Sequence, residues 1–439
     1  MIADPIRAGL ASGWSVIDAS TLAKDLDLEA DVVVIGSGAG GGVTAEILAR
    51  AGLKVAIVEE GPLASSSDFR MREQQAYTRL YQESAGRQTL DRGITVLQGR
   101  CVGGSTTVSW TAAFRAPRDT LGHWRDVLGL KTMGEAELEP WYRRAEERLS
   151  IAPWRTAPNR NNDALRIGCD KLGIPNGLMR RDVKACANLG YCGLGCPTNA
   201  KQSMLVTTIP AALERGATLL HGARVTRLAL ERDRVAWCEA VPAAAPDNRR
   251  IRLRARHYVL AAGGIGSPAI LLRSEAPDPA GRLGRRTFLH PTVVSAALMR
   301  DPVEGFYGAP QSVYSDHFLH SPLDGPAGFK IEAAPVHPVL VGTALPGFGE
   351  EHARWMTRFG NVHVAIALLR DGFHPEAPGG AVSLRSDGSP VLDYPMTPYL
   401  WQAARRAWLA MAEIQFAAGA LAVRPAHESA VDAASWQEA

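Results

Sequence analysis

Three glycines in the pattern Gly36-x-Gly38-x-x-Gly41 follow the apolar, β-branched run DVVVI at 31–35. Residues of this type at this spacing hold phosphates. Gly36 permits a tight turn at a strand end, Gly38 lets backbone approach a pyrophosphate, and Gly41 lets the next helix pack closely on the strand. The helix N-terminus then offers unpaired N–H groups and a partial positive charge to the anion. Glu59 lies 23 residues after Gly36. A carboxylate there accepts hydrogen bonds from both ribose hydroxyls and argues against a 2′-phosphate. The fingerprint alone does not separate NAD from FAD.

A second group is Cys186-x5-Cys192-x3-Cys196-Pro197, in a loop at 185–200 rich in Gly and Asn. Thiolates gathered in such a loop can converge on metal, and three of them suit an iron–sulfur cluster better than zinc, which takes four ligands. The other reading is three buried small residues. The histidines show no comparable pattern. His290 reads as a turn residue, and His317, His337, His363 and His374 read as core or surface residues without ligand-like spacing. No Ser-His-Asp or Cys-His arrangement follows from spacing.

The elements that must position these residues are legible in part. The run 31–35 reads as a buried parallel strand, 43–51 as a helix, and 53–58 as a second strand ending at Glu59-Glu60. A further buried strand is expected at 257–262, followed by Gly263-Gly264 and a helix at 267–274. Residues 119–150 have a helical pattern, with Trp124, Trp141 and Tyr142 expected in its core face. Residues 241–249 read as a hairpin tip. From 292 to 394 the pattern changes to alternating segments rich in Pro, Gly and His, which suggests an antiparallel layer. An amphipathic helix is expected at 401–418.

Composition narrows the classes. A chain of 439 residues suggests two or three domains, or one large two-part enzyme. With 46% hydrophobic and 21% charged residues, disorder as the main state is excluded. The net charge of +3 is too balanced to suggest nucleic-acid binding. Only 7 of the 48 basic residues are lysine, and the arginines are scattered. No run approaches the ~20 apolar residues of a membrane-spanning helix, and the first 31 residues carry no ordinary secretory signal. A cytoplasmic location is the default expectation, with export alongside a signal-bearing partner left open.

The segment GRCVGGSTTV, from Gly99 to Val108, resembles the first signature of the glucose–methanol–choline (GMC) oxidoreductases. GGIGSPAILLRS, from Gly263 to Ser274, approaches the second. VAIVEEGP at 55–62 resembles the ribose-binding segment of that family, and LGRRTFLHP at 283–291 the segment leaving its FAD domain. The resemblance implies an α/β fold, with a Rossmann-type FAD domain (1–110 and 200–295) and a mostly antiparallel substrate domain (111–199 and 296–439). It implies that Arg100, Gly103, Gly104 and Ser105 run along the FAD. Val225 then contacts the adenine through its backbone, and Ala262 and Gly263 flank the phosphates or ribose. Ser109 stands where the family has Asn or His, beside the flavin. Gly264 and Glu275 also depart from the second signature.

The resemblance further implies oxidation of an alcohol, a long-chain or hydrophobic one or a sugar, with hydride passing to flavin N5. The cysteine spacing is similar to the three-iron (3Fe-4S) ligand loop of bacterial FAD-dependent glucose dehydrogenases. YCGLGCPTNAKQ at 191–202 also resembles long-chain alcohol oxidases. A cluster favours a dehydrogenase that passes electrons to an acceptor protein or small subunit. The family's His-x-x-Gly-type segment with the catalytic histidine has no match here, and His427 reads as a surface-loop residue. The catalytic base is therefore unassigned, and a C-terminally truncated, inactive FAD-binding homologue is the alternative. A nicotinamide dehydrogenase rests on the glycine fingerprint alone.

Overall fold

The computed structural model describes residues 3–244, 249–322, 325–374, 376–429 and 431–438. Residues 245–248, four of the nine in the expected hairpin tip, lie outside them. The chain forms two compact units, each assembled from three separate stretches. The first comprises Met1–Ser109, Cys192–Thr287 and Gly379–Tyr394. The second comprises Trp110–Tyr191, Phe288–Pro378 and Pro395–Ala439.

The first unit is built on β1 (Leu26–Ile35), α1 (Ala39–Arg50), β2 (Val55–Glu59), α2 (Ser105–Val108), β3 (Ala223–Glu231), β4 (Ile251–Leu260) and α3 (Gly263–Arg273). Its seven-stranded sheet runs Val16–Asp18, Thr218–His221, β2, β1, β4, Arg234–Pro242, β3. The first five strands are parallel, and the last two pairings, β4 with Arg234–Pro242 and that strand with β3, are antiparallel. Val32 to Ile35 are buried, and both neighbours of β1 are parallel to it, which is why this stretch is continuously apolar. Each such Val or Ile contributes roughly 1.5–3 kcal/mol on burial. The chain goes from β1 through α1 to β2 on one side, while β4 lies on the other. The C-terminal end of β1 is thus a topological switch point, the usual mouth of a ligand site in open α/β sheets.

Three short antiparallel strands, Arg285–Thr287, Gly380–Leu384 and Pro390–Asp393, complete this unit. Residues 379–394 were expected in the second domain. Pairing of Gly380 and Ala381 with Thr287 and Arg285 carries them into the first. The chain also re-enters the first unit at Cys192, not near 200, so Cys186 belongs to one unit and Cys192 and Cys196 to the other.

The second unit centres on β5 (Thr292–Met299), β6 (Phe329–Ala333), β7 (Val362–Leu369), α4 (Pro398–Ala417) and β8 (Ala420–Pro425). The antiparallel sheet is ordered β8, β5, β7, β6, Val313–Ser315, Gly177–Leu178. One face packs on α4 and on the helix Arg160–Lys171 through Leu165, Phe329, Ile331, Ala404, Met411 and Ile414. Thr397 caps α4 and Pro398 starts it. Gly168 permits the close helix contact, since a Cβ there meets the Ile414 carbonyl oxygen at 2.2 Å. The aromatic residues at 124–142 depart from expectation. The helix Glu135–Arg148 buries none of its residues, and Trp141 is 61% exposed. Among the described residues no helix is long and apolar enough to cross a membrane.

Candidate functional site

The glycine turn after β1 adopts conformations that only glycine tolerates well. Gly36 has φ +100°, and a Cβ there lies 2.4 Å from the Ala261 carbonyl oxygen. A Cβ on Gly41 falls 1.8 Å from the Gly36 carbonyl oxygen, so α1 can start this close to β1 only without a side chain. Gly38 is the N-cap of α1 and supplies no side-chain hydrogen bond, so the first N–H groups of the helix lack a side-chain cap. Ala262 likewise leaves the start of α3 without a side-chain cap, and Gly263 has φ +77°. Leu260 pairs with Ile35. Two helix N-termini with positive dipole ends therefore begin at one edge of the sheet, from adjacent parallel strands.

The segment 99–109 packs against this turn. Gly104 has φ +56°, and a Cβ on it meets Gly38 Cα at 2.8 Å. The Gly103 N–H donates to Ser37 Oγ at 2.9 Å. Ser37 Oγ and N–H both donate to Glu59 Oε2, at 2.6 and 3.0 Å. The Gly61 N–H donates to Glu59 Oε1 at 2.9 Å. Ser37 thus ties the two glycine loops to the end of β2, a role the x in the fingerprint does not announce. Glu59 is 7% exposed. Burial pushes its carboxyl above the usual value, although the bonds from Ser37 and Gly61 favour the carboxylate.

The remaining expected residues gather around the same loops. Arg100 Nε lies 3.2 Å from Glu60 Oε1, and Gln82 Nε2 donates to Glu60 Oε2 at 3.3 Å. Ser105 opens α2 and accepts from the Gly99 N–H at 3.0 Å. Ser109 closes α2, with its Oγ donating to the Thr106 carbonyl at 3.3 Å. Val225 is buried in β3, and its carbonyl accepts from Arg273 Nη2 at 3.1 Å, while the Thr226 carbonyl accepts from Arg273 Nε at 2.7 Å. Sequence reasoning missed Lys201. Its Nζ is buried and donates to the carbonyls of Thr107, Ser109 and Cys192 at 2.7, 2.6 and 2.8 Å. It clamps the end of α2 to the cysteine loop.

Among the described residues no three His, Cys, Asp or Glu side chains are grouped to hold a metal ion, so the expectation of a cluster on Cys186, Cys192 and Cys196 finds no support here. The sulfurs have local engagements instead. Cys186 Sγ accepts from the Asn188 N–H at 3.4 Å, and Cys196 Sγ lies 3.4 Å from Thr198 Oγ1. Burial pushes the Cys196 thiol up. Hydrogen bonds from the Thr198 hydroxyl and from the N–H groups of Lys201, Thr198 and Ala200 outweigh it and hold the thiol below its usual value. Of the histidines, His337 and His363 are buried, while His290, His317 and His427 are exposed.

Comparison with known proteins fits this geometry. Residues 77–292 match the GMC oxidoreductase family model and residues 31–70 the FAD binding domain model. An uncharacterized GMC-type oxidoreductase of Sinorhizobium fredii is 30% identical over 92% of this chain and 78% of its own length. The chain belongs to the GMC oxidoreductase family. A second uncharacterized GMC-type oxidoreductase, from Mycobacterium tuberculosis, is 33% identical over 90% of this chain and 61% of its own length. A long-chain-alcohol oxidase of Arabidopsis thaliana is 29% identical over 78% of the chain and 47% of its own length. The chain therefore spans between about half and about four fifths of these relatives. Pyridoxine 4-oxidase from Mesorbium loti shares the fold, with a TM-score of 0.64, 18% identity, and coverage of 88% of this chain and 80% of that one. Formate oxidase of Aspergillus oryzae shares it equally, at 0.64 and 14%, covering 90% and 80%. The first unit of this GMC family member has a cradle that suits a dinucleotide: paired glycine loops and two helix starts without side-chain caps.

Proposed function

We propose that this GMC protein is an FAD-dependent oxidoreductase acting on the CH–OH group of long-chain or otherwise hydrophobic alcohols. The observation that carries the reading is the glycine cradle, in which Gly36, Gly38 and Gly41 lock onto Gly103 and Gly104 through Ser37 and Glu59. In this reading the open start of α1 faces the pyrophosphate, with Ala262 and Gly263 at the second helix start completing the anion site. Glu59 takes a ribose hydroxyl on the acceptor position that Ser37 and Gly61 leave, since a carboxylate has about four such positions. Arg100, Gly103, Gly104 and Ser105 run along the cofactor, Ser109 ends that run, and Val225 lies toward the adenine. Bound FAD supplies the two-electron acceptor for the substrate hydride.

The substrate class rests on the likeness to long-chain-alcohol oxidases, including the segment 191–202, whose Lys201 holds the Ser109 and Cys192 carbonyls. The electron acceptor is oxygen or an external carrier, and the test includes both. The purified protein is examined for a flavin spectrum, then mixed anaerobically with a panel of primary alcohols of rising chain length and with sugars. Bleaching of the flavin band by aliphatic alcohols, restored by oxygen or a dye, supports the reading. A flavin that none of them reduces supports the inactive homologue instead. A colourless protein that binds NAD refutes both.

A further inference from the structure

The first unit contains a cavity of about 450 Å³, within the range of small-molecule sites, that none of the expected cofactor residues lines. Its floor is apolar and buried, built from Phe69, Ala76, Leu80 and Leu194. Gly195 lets that floor close. Its φ is +84°, and a Cβ on it would lie 2.3 Å from the Phe69 ring, so glycine alone allows the cysteine loop this approach. Three arginines, Arg70, Arg72 and Arg79, line the same cavity from exposed positions at its mouth.

The carboxylates nearby are engaged elsewhere. Asp68, which also lines the cavity, accepts from Arg7 Nη2 at 3.0 Å and from the Ser65 N–H at 2.9 Å, while Arg79 Nη1 stays 4.0 Å away. Glu73, in the first turn of the helix Glu73–Leu80, accepts from the Tyr77 hydroxyl at 3.1 Å. Among the described residues the guanidiniums of Arg70 and Arg72 have neither an ion-pair partner nor a hydrogen-bond acceptor. Arg72 is also the N-cap of that helix and gives it no side-chain cap. A cation is unfavourable there, because the helix N-terminus is the positive end of the dipole and its first N–H groups need acceptors. Met71, between the two arginines, has φ +55°, so the chain holds the pair on a strained turn. Like charges therefore gather at the mouth of one cavity with no counterion from the described residues.

We propose that this cavity binds a carboxylate with a short apolar body, its head held by Arg70 and Arg72 and its body laid toward Phe69, Leu80 and Leu194. The anion supplies the acceptors that both guanidiniums lack, and an arginine fork matches a carboxylate through two parallel hydrogen bonds. It also neutralises the repulsion between the arginines and the helix dipole. An inorganic anion satisfies the arginines but gains nothing from the apolar floor or from the arginine stems beside it. Each methylene that the cavity takes out of water tightens binding by up to about fourfold. The inference does not depend on the alcohol-oxidising reading, since it uses none of the residues of the glycine cradle.

The test titrates the intact protein at neutral pH and low salt with propanoate, pentanoate, heptanoate, heptanamide and phosphate, by isothermal titration calorimetry. Heptanoate is expected to bind one to one and more tightly than its shorter homologues. Arg70→Gln and Arg72→Gln, at exposed positions without partners, are each expected to weaken it about tenfold. Arg215→Gln removes the same charge from an exposed position outside the cavity and leaves the affinity unchanged. Heptanamide binding as tightly as heptanoate overturns the proposal, because no anion is then recognised. Phosphate or propanoate binding as tightly as heptanoate overturns it too, because the cavity then takes no apolar body. So does an absence of heptanoate binding, or binding that both arginine variants retain at full strength with a native circular dichroism spectrum.

Discussion

At the scale of single residues, Ser37 and Lys201 hold the cradle together although neither belongs to a glycine motif. Ser37→Ala removes one hydroxyl that serves both the Gly103 N–H and Glu59. It is expected to destabilise the protein by about 1–3 kcal/mol and to lower the flavin-to-protein ratio after gel filtration, while Ser37→Thr keeps both. Lys201→Met leaves three carbonyls without their donor and is expected to cost about 3–5 kcal/mol, read from urea unfolding. Lys201→Arg restores little, because a planar fork does not reproduce the reach of an ammonium to three carbonyls. The sequence did not announce either role. The pattern Gly-x-Gly specifies what its glycines do and says nothing of the residue between them. Lys201 meets Thr107 and Ser109 across 94 and 92 residues of chain, a contact with no local signature.

At the scale of elements, the unit β1–α1–β2 was legible because every signal in it is local: an apolar β-branched run, a glycine turn, a helix and an acid. Two neighbouring glycines test how that unit closes. Gly41→Ala sets a methyl 1.8 Å from a backbone oxygen that cannot move aside, so α1 must shift off β1. The expected cost is about 3 kcal/mol or more, with flavin lost in proportion. Gly40→Ala meets nothing within 4 Å and lies in the same helix, so it is expected to be neutral or to stabilise by up to about 1 kcal/mol. Thermal melts of the two variants separate packing from propensity; equal effects sink the close-approach argument. The strands Gly380–Leu384 and Pro390–Asp393 were placed in the wrong unit for the converse reason. Gly380–Leu384 pairs with Arg285–Thr287, about a hundred residues upstream, and brings Pro390–Asp393 with it, and neither strand carries a mark of that distant partner. The helix Glu135–Arg148 misled in a third way. Its aromatic residues suggest a core face, but Tyr142 is used at the surface, under Arg115 and with its hydroxyl on the Ala116 N–H.

At the scale of the whole molecule, each unit is assembled from three separate stretches, so composition shifts along the chain could not mark the limits. Its response to pH is a sum over buried groups, and two in the second unit oppose each other. Burial pulls His363 down from 6.5 to about 4, only partly countered by a backbone hydrogen bond at Asn161. The unfolded chain therefore binds the extra proton, and this contribution, complete above pH 6.5, is lost as pH falls toward 4. Burial pushes Glu332 from 4.5 up to about 7, against the Lys330 charge, a bond from Gln311 and the Arg181 charge. Here the native state holds the proton longer, so stability is fully present below pH 4.5 and is lost as pH rises toward 7. Each gap corresponds to about 3 kcal/mol, and the two nearly cancel in the native protein. Glu332→Gln leaves the His363 contribution unopposed, so stability is expected to rise with pH by up to about 3 kcal/mol between 4 and 6.5. His363→Gln, which can still pair with Gln415, leaves it falling by a similar amount between 4.5 and 7. Urea midpoints at stepped pH decide the matter: slopes of opposite sign in the two variants require both groups to be buried as the fold places them, and two unchanged slopes refute it.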